Sequence, residues 1–135
     1  MSYEELSHTA DVKIRARAPT CEALFSEAFQ ALMQVMYGED RSGGTSRIID
    51  LSAPDRESLL CDFLSETLYL SEVEGLVFRQ ADVQLDGLQL HAVLDGEPFD
   101  QSRHAKGTEV KGISYSGMSI VGDAKGYMLD ILFDV

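Results

Sequence analysis

The stretch LVFRQADVQLDGLQLHAVL, Leu76 to Leu94, sets Asp86-Gly87 between two runs of β character. A glycine supplies positive φ at no steric cost, and an Asp-Gly step flanked by β-branched and apolar residues is the strongest short-range signal of an antiparallel hairpin. Working outward toward the C-terminus, a polar loop, DGEPFDQSRHAKG, runs from Asp95 to Gly107. TEVKGISYSGMSI and YMLDILFDV then form a second hairpin around VGDAKG. Alternation in the last run puts Leu129, Ile131, Phe133 and Val135 on one face and Asp130, Leu132 and Asp134 on the other.

Toward the N-terminus the periodicity changes. Leu59, Leu60, Phe63, Leu64, Thr67 and Leu68 recur at helical spacing after a cap at Ser52 or Asp55, and Gly75 ends the helix. A short strand over Arg47 to Leu51 precedes it, with adjacent Ile48 and Ile49 leaving its faces ambiguous. A first helix opens at Thr20, carries Leu24, Phe25, Ala28, Phe29, Leu32, Val35 and Met36, and stops at Gly38. Before it, Val12, Ile14, Ala16 and Ala18 alternate with Lys13, Arg15 and Arg17 as a strand with one buried face, ended by Pro19. The order β-α-β-α-β-β-β-β predicts one α+β domain over residues 1–135, with two helices packed on a largely antiparallel or mixed sheet. Neither internal repeats nor low-complexity tracts interrupt it.

With 135 residues, 44% hydrophobic and 25% charged, the chain has the composition of an ordinary globular domain. Its formal net charge of −12 opposes phosphate backbones, so stable direct binding to nucleic acid is not expected, and a protein partner or a bound cation fits better. Cys21 and Cys61 lie inside apolar helical patterns and read as core thiols without a disulfide. The polar start MSYEELSHTAD lacks the features of a signal peptide, and no stretch has the apolar length of a membrane span, so a cytoplasmic location is expected.

Candidate chemistry gathers at the two ends of the chain. Asp11 begins the first strand and Asp134 is the penultimate residue, followed by the α-carboxylate of Val135. Neighbouring strand ends would bring these oxygens together, and such a donor set suits a hard cation, Ca²⁺, Mg²⁺ or Mn²⁺, in preference to zinc. The plainer alternative is a turn aspartate and a solvated terminus. If Gly122 to Lys125 form the last loop, Ile113 faces Asp134 and Lys111 lies beyond it on the same face; a slip of one residue separates them. Lys111 then serves either to hold carboxylates or phosphate or simply as an exposed strand lysine. His8 reads as a turn residue beside Asp11, His91 as a partly exposed sheet residue, and His104 as part of the polar loop. There is no zinc spacing, nucleophile elbow or glycine-rich phosphate loop.

Taken together, SHTADVKI, LLCDFLSETLYLSEVEGLVF (Leu59–Phe78), GEPFDQSRHAKGTEVKGISY (Gly96–Tyr115) and the terminal FDV resemble the archease family from end to end. One departure is Ser116, where the family often has histidine after its TY pair. The resemblance implies a non-enzymatic, chaperone-like accessory protein of the RtcB-type RNA ligase, which joins RNA ends in tRNA splicing and repair using GTP and divalent metal. Such proteins promote guanylylation of the ligase and its repeated turnover. By similarity, Asp11, Asp134 and Lys111 are the functional residues, with Asp11, Asp134 and Val135 at a divalent-cation site. A metal-dependent enzyme acting on a phosphorylated small molecule, and a chaperone-like partner in RNA modification, are the alternatives.

Overall fold

In the computed structural model, which describes residues 1–6 and 11–135, the chain begins with strands β1 (Ser2–Leu6) and β2 (Asp11–Ala18) and helix α1 (Cys21–Tyr37). Strand β3 (Thr45–Ser52), helix α2 (Arg56–Glu74) and strands β4 (Leu76–Asp86) and β5 (Gln89–Pro98) follow. A single helical turn, α3 (Gln101–His104), precedes β6 (Gly112–Asp123) and β7 (Gly126–Asp134). The α+β class expected from the sequence stands, with every described strand pairing antiparallel. The strands form two sheets instead of one, ordered β1-β2-β7-β6 and β3-β5-β4.

Two elements lie outside the expected order. Strand β1 is SYEEL, too charged to show an apolar period, yet Tyr3 packs against the core and the strand pairs with β2 from Ser2↔Arg17 to Leu6↔Lys13. Helix α3 sits in the predicted polar loop, capped by Asp100, whose carboxylate accepts from Ser102 N–H at 2.9 Å.

The helix boundaries follow local chemistry. Thr20 Oγ1 accepts from Ala23 N–H at 3.1 Å, and Gly38 closes α1 with φ 83° and an N–H bonded to Gln34 O. At α2, Asp55 is the cap, accepting from Ser58 N–H at 2.7 Å, and Gly75 ends the helix in the left-handed conformation. Phe25, Phe29 and Phe63 are fully buried, and their rings join α1 to α2 with centroid separations of 6.2 Å and 6.5 Å. The ambiguity of β3 resolves as Ile49 in the core and Ile48 at 62% exposure.

Helix α1 also lies along the free edge of β4 and supplies what a neighbouring strand would have supplied. Ser26 Oγ donates to Ala81 O at 3.1 Å, Gln30 Nε2 to Arg79 O at 2.8 Å, and Leu85 N–H donates to Glu22 Oε2 at 3.0 Å. Just past the helix, Arg41 Nη1 donates to Phe78 O at 3.2 Å. Backbone groups at a strand edge need partners, and here side chains of α1 and Arg41 provide them. Cys21 and Cys61 are free and half-buried, and burial pushes both thiols up from their ordinary pKa. Among the described residues, no helix is long and apolar enough to cross a membrane.

Candidate functional site

Strand β2 begins at Asp11, β7 ends at Asp134, and the two residues stand directly opposite each other. The register is unbroken from there to Ala18↔Tyr127. It is fixed by burial, because Ile14 pairs with Ile131 and Ala16 with Leu129, all four inside the core. Directly opposed residues in an antiparallel pair share a face, with Cα atoms about 4.5–5.5 Å apart. Asp11 and Asp134 therefore lie together on the outer face of this sheet. Asp11 is half-buried and Asp134 exposed, and Val135 is 38% exposed.

Farther along the same face, Arg15 donates to Asp130 through Nε at 2.7 Å and Nη2 at 3.1 Å. The hydrogen bond from Arg15 is the main cause that holds the Asp130 carboxyl below the usual range, and Lys13 and Arg17 add to it electrostatically. A column of cations from β2 thus adjoins the acidic end.

On the other side of β7 the observed register corrects the sequence expectation. Gly112, and not Ile113, faces Asp134. The turn is Ala124-Lys125, with Asp123 opposite Gly126, and Tyr115, Ser116, Gly117 and Met118 stand against Ile131 alone. Gly117, with φ 79°, permits the distortion. The shared face of Lys111 and Asp134 was tied to the unshifted register and is lost with it. A backbone contact takes its place: Lys111 N–H donates to Asp134 O at 2.7 Å. The lysine remains at the acidic end, its side chain exposed, and the Asp134 carboxylate lies over Gly112, where a Cβ would be 3.6 Å from Oδ2.

The donor types suit a hard cation, since Asp11 and Asp134 offer carboxylate oxygens. Among the described residues, no three His, Cys, Asp or Glu side chains gather closely enough to hold a metal ion by themselves. A cation bound here would draw on Asp11, Asp134 and Val135. His8 lies outside the described residues. Ser116 sits exposed in the β6 distortion, its carbonyl accepting from Ser114 Oγ at 3.3 Å.

The histidine that carries most structure is one the sequence placed only in a loop. His104 is buried to 1%, its ring forming a three-ring cluster with Tyr37 and Phe99, which also contact each other. Nothing in the linear pattern SRHAKG distinguishes a buried imidazole from a solvated one. His91 is the partly exposed sheet residue expected, 2.6 Å from Asp50 Oδ1. The groove beside it, lined by Asp50, Gln84 and Gln89, lies on the other sheet and includes none of the candidate residues.

The fold and this site define a class: a small two-sheet α+β protein with opposed carboxylates at one end of the larger sheet. The family model described as the Archease protein family matches residues 3–135, and the chain belongs to that family. Protein archease of Methanosarcina barkeri is 37% identical over 141 residues, covering 98% of this chain and 95% of that protein. An archease-like protein of Drosophila melanogaster is 33% identical over 142 residues, covering 100% and 91%. The solution structure of protein 1598 of Methanobacterium thermoautotrophicum shares the fold with a TM-score of 0.81 at 24% identity, covering 99% of both chains. A Thermotoga maritima crystal structure, described as an archease and possible chaperone, matches with a TM-score of 0.68 at 17% identity, covering 98% and 96%.

Proposed function

We propose that this protein activates an RtcB-type RNA ligase in the cytoplasm, promoting its GTP-dependent guanylylation and repeated turnover, through a divalent cation held by Asp11, Asp134 and Val135. The observation that carries the reading is the direct opposition of Asp11 and Asp134, with Lys111 bonded through its backbone to the second of them. Bound Mg²⁺, Mn²⁺ or Ca²⁺ supplies neutralisation of charge at a triphosphate, which is the main need of a nucleotidyl transfer. Asp11 and Asp134 hold it from rigid strand ends. Lys111, a compact charge on a flexible stem, contacts phosphate or steadies Asp134. The acidic surface favours encounter with a basic face of the ligase.

The test is guanylylation of the cognate ligase, with and without this protein, across a titration of divalent ions. Asp11→Ala and Asp134→Ala are expected to fold normally and to reduce guanylylation to the unstimulated rate. A folded double variant that stimulates fully overturns the reading. The description of the Thermotoga maritima relative as a possible chaperone favours a second reading, general chaperone-like assistance to a protein partner. Stimulation insensitive to chelator and to loss of Asp11 would favour it.

A further inference from the structure

Between Pro98 and Gly112 the chain has one helical turn and no strand pairing, yet it is tied down every few residues. Phe99 N–H donates to Gly75 O at 2.8 Å. The His104 ring then sits at 6.3 Å from Tyr37 and 5.9 Å from Phe99, between centroids. Its Nδ1 faces the Asp100 N–H at 2.8 Å and must accept, so the proton resides on Nε2 and points to Glu97 Oε2 at 3.2 Å. Glu97 also accepts from Ser42 N–H at 2.7 Å and pairs with Arg103. One neutral imidazole thus joins the loop's own backbone to β5, which a shorter amide side chain cannot do at both ends.

The second half of the segment is held by sterics. A Cβ at Gly107 would overlap the Met36 carbonyl, so the chain can press against the end of α1 only as glycine. Thr108 N–H donates to Val35 O at 2.8 Å, Val110 is fully buried, and the next residue is Lys111, bonded to Asp134 O.

We infer that this segment is a clamp in which His104 and Gly107 are positioning residues for Lys111, fixing its main chain against Asp134. The functional part of the inference rests on the activation reading above. With its backbone fixed, Lys111 has only side-chain rotations left to search, and a misplacement of about 1 Å at such a site can cost on the order of 10²-fold in rate. The bond from Lys111 N–H to Asp134 O joins the segment to the acidic end, so the segment acts on that end through this residue.

The experiment pairs amide hydrogen exchange with the guanylylation assay on the full chain. In Gly107→Ala and His104→Ala the Lys111 amide is expected to exchange at least 10-fold faster, while Ile14 and Ile131 on the β2–β7 pair keep their protection. His104→Asn, which retains an acceptor toward Asp100, is expected to recover part of the protection, and it carries the test if the other two variants fail to fold. Stimulation is expected to fall about 10-fold in Gly107→Ala, and Gly107→Ala/Lys111→Ala should be no worse than Lys111→Ala alone. Wild-type protection of Lys111 in the folded variants, parallel loss at all amides, or multiplying effects in the double variant would overturn the clamp. Failure of the activation reading looks different: Lys111→Ala and Asp11→Ala would leave guanylylation unchanged, and the exchange data would still decide the clamp.

Discussion

The two hairpins, β4–β5 and β6–β7, both close through two-residue links but keep register by different means. In β4–β5 both strands send side chains into the core, Ala81 and Val83 from one and Leu90, Ala92 and Leu94 from the other. A single irregularity between Phe78 and Gln80 suffices to return Phe78 to the interior. In β6–β7 only β7 is deeply buried, and no residue of β6 is. That strand can gather extra residues against Ile131 without moving anything out of the core. Burial on both strands pins a register; burial on one leaves it to be set by turns and distortions. The acidic end lies at the open end of the looser hairpin, and its precision comes from β2 on one side and the Lys111 bond on the other.

That contrast can be broken most severely at the pinned hairpin. Phe78→Ala removes a fully buried ring and is expected to lower the free energy of unfolding by about 3–5 kcal/mol, read as a reduced urea midpoint at constant slope. A loss near zero would mean the β4 irregularity is not anchored by its ring. The turns sharpen the comparison further. At Gly126, φ is 132° and a Cβ would stand 2.5 Å from Ala18 O, so Gly126→Ala combines backbone strain with a clash and should cost about 3 kcal/mol. At Gly87, φ is 59° and nothing lies within 4 Å, so Gly87→Ala should cost only about 1–2 kcal/mol in the same denaturation series. Equal losses would contradict the assigned environments.

The smallest effect concerns Arg15 and Asp130. The bond from Arg15 depresses the folded-state pKa of Asp130, so its contribution is fully present above the unfolded aspartate value of about 4 and fades as pH falls through the depressed value. Asp130→Asn should therefore lower the urea midpoint slightly at pH 7, with the difference from wild type shrinking under acid conditions. A difference that stays constant with pH would show that the carboxylate charge is not what the arginine holds.

Much of this was legible because local chemistry and burial agree. Thr20, Asp55 and Gly75 mark helix ends by caps that act within four residues, and β2 shows its buried face in plain alternation. Asp86-Gly87 located the first hairpin, although the link itself is Gly87-Leu88, with positive φ at its first residue as in a type II′ turn. The hidden features depend on distant partners. Strand β1 is polar at most positions and is defined by pairing with β2. The Lys111 register could not be read because Gly112 to Ser119 contain little that must be buried. His104 is polar by type and interior through Tyr37 of α1, far off in the sequence, together with Phe99 and Glu97 nearby.

The helix laid along β4 has a consequence for behaviour in concentrated or stressed solution. An uncovered strand edge is a template on which a second polypeptide can zip up, the first step of domain exchange and of fibre growth. Because Ser26, Gln30, Glu22 and Arg41 already occupy that edge, a foreign strand can add there only after α1 has peeled away. Self-association through β4 is thereby coupled to loss of the core.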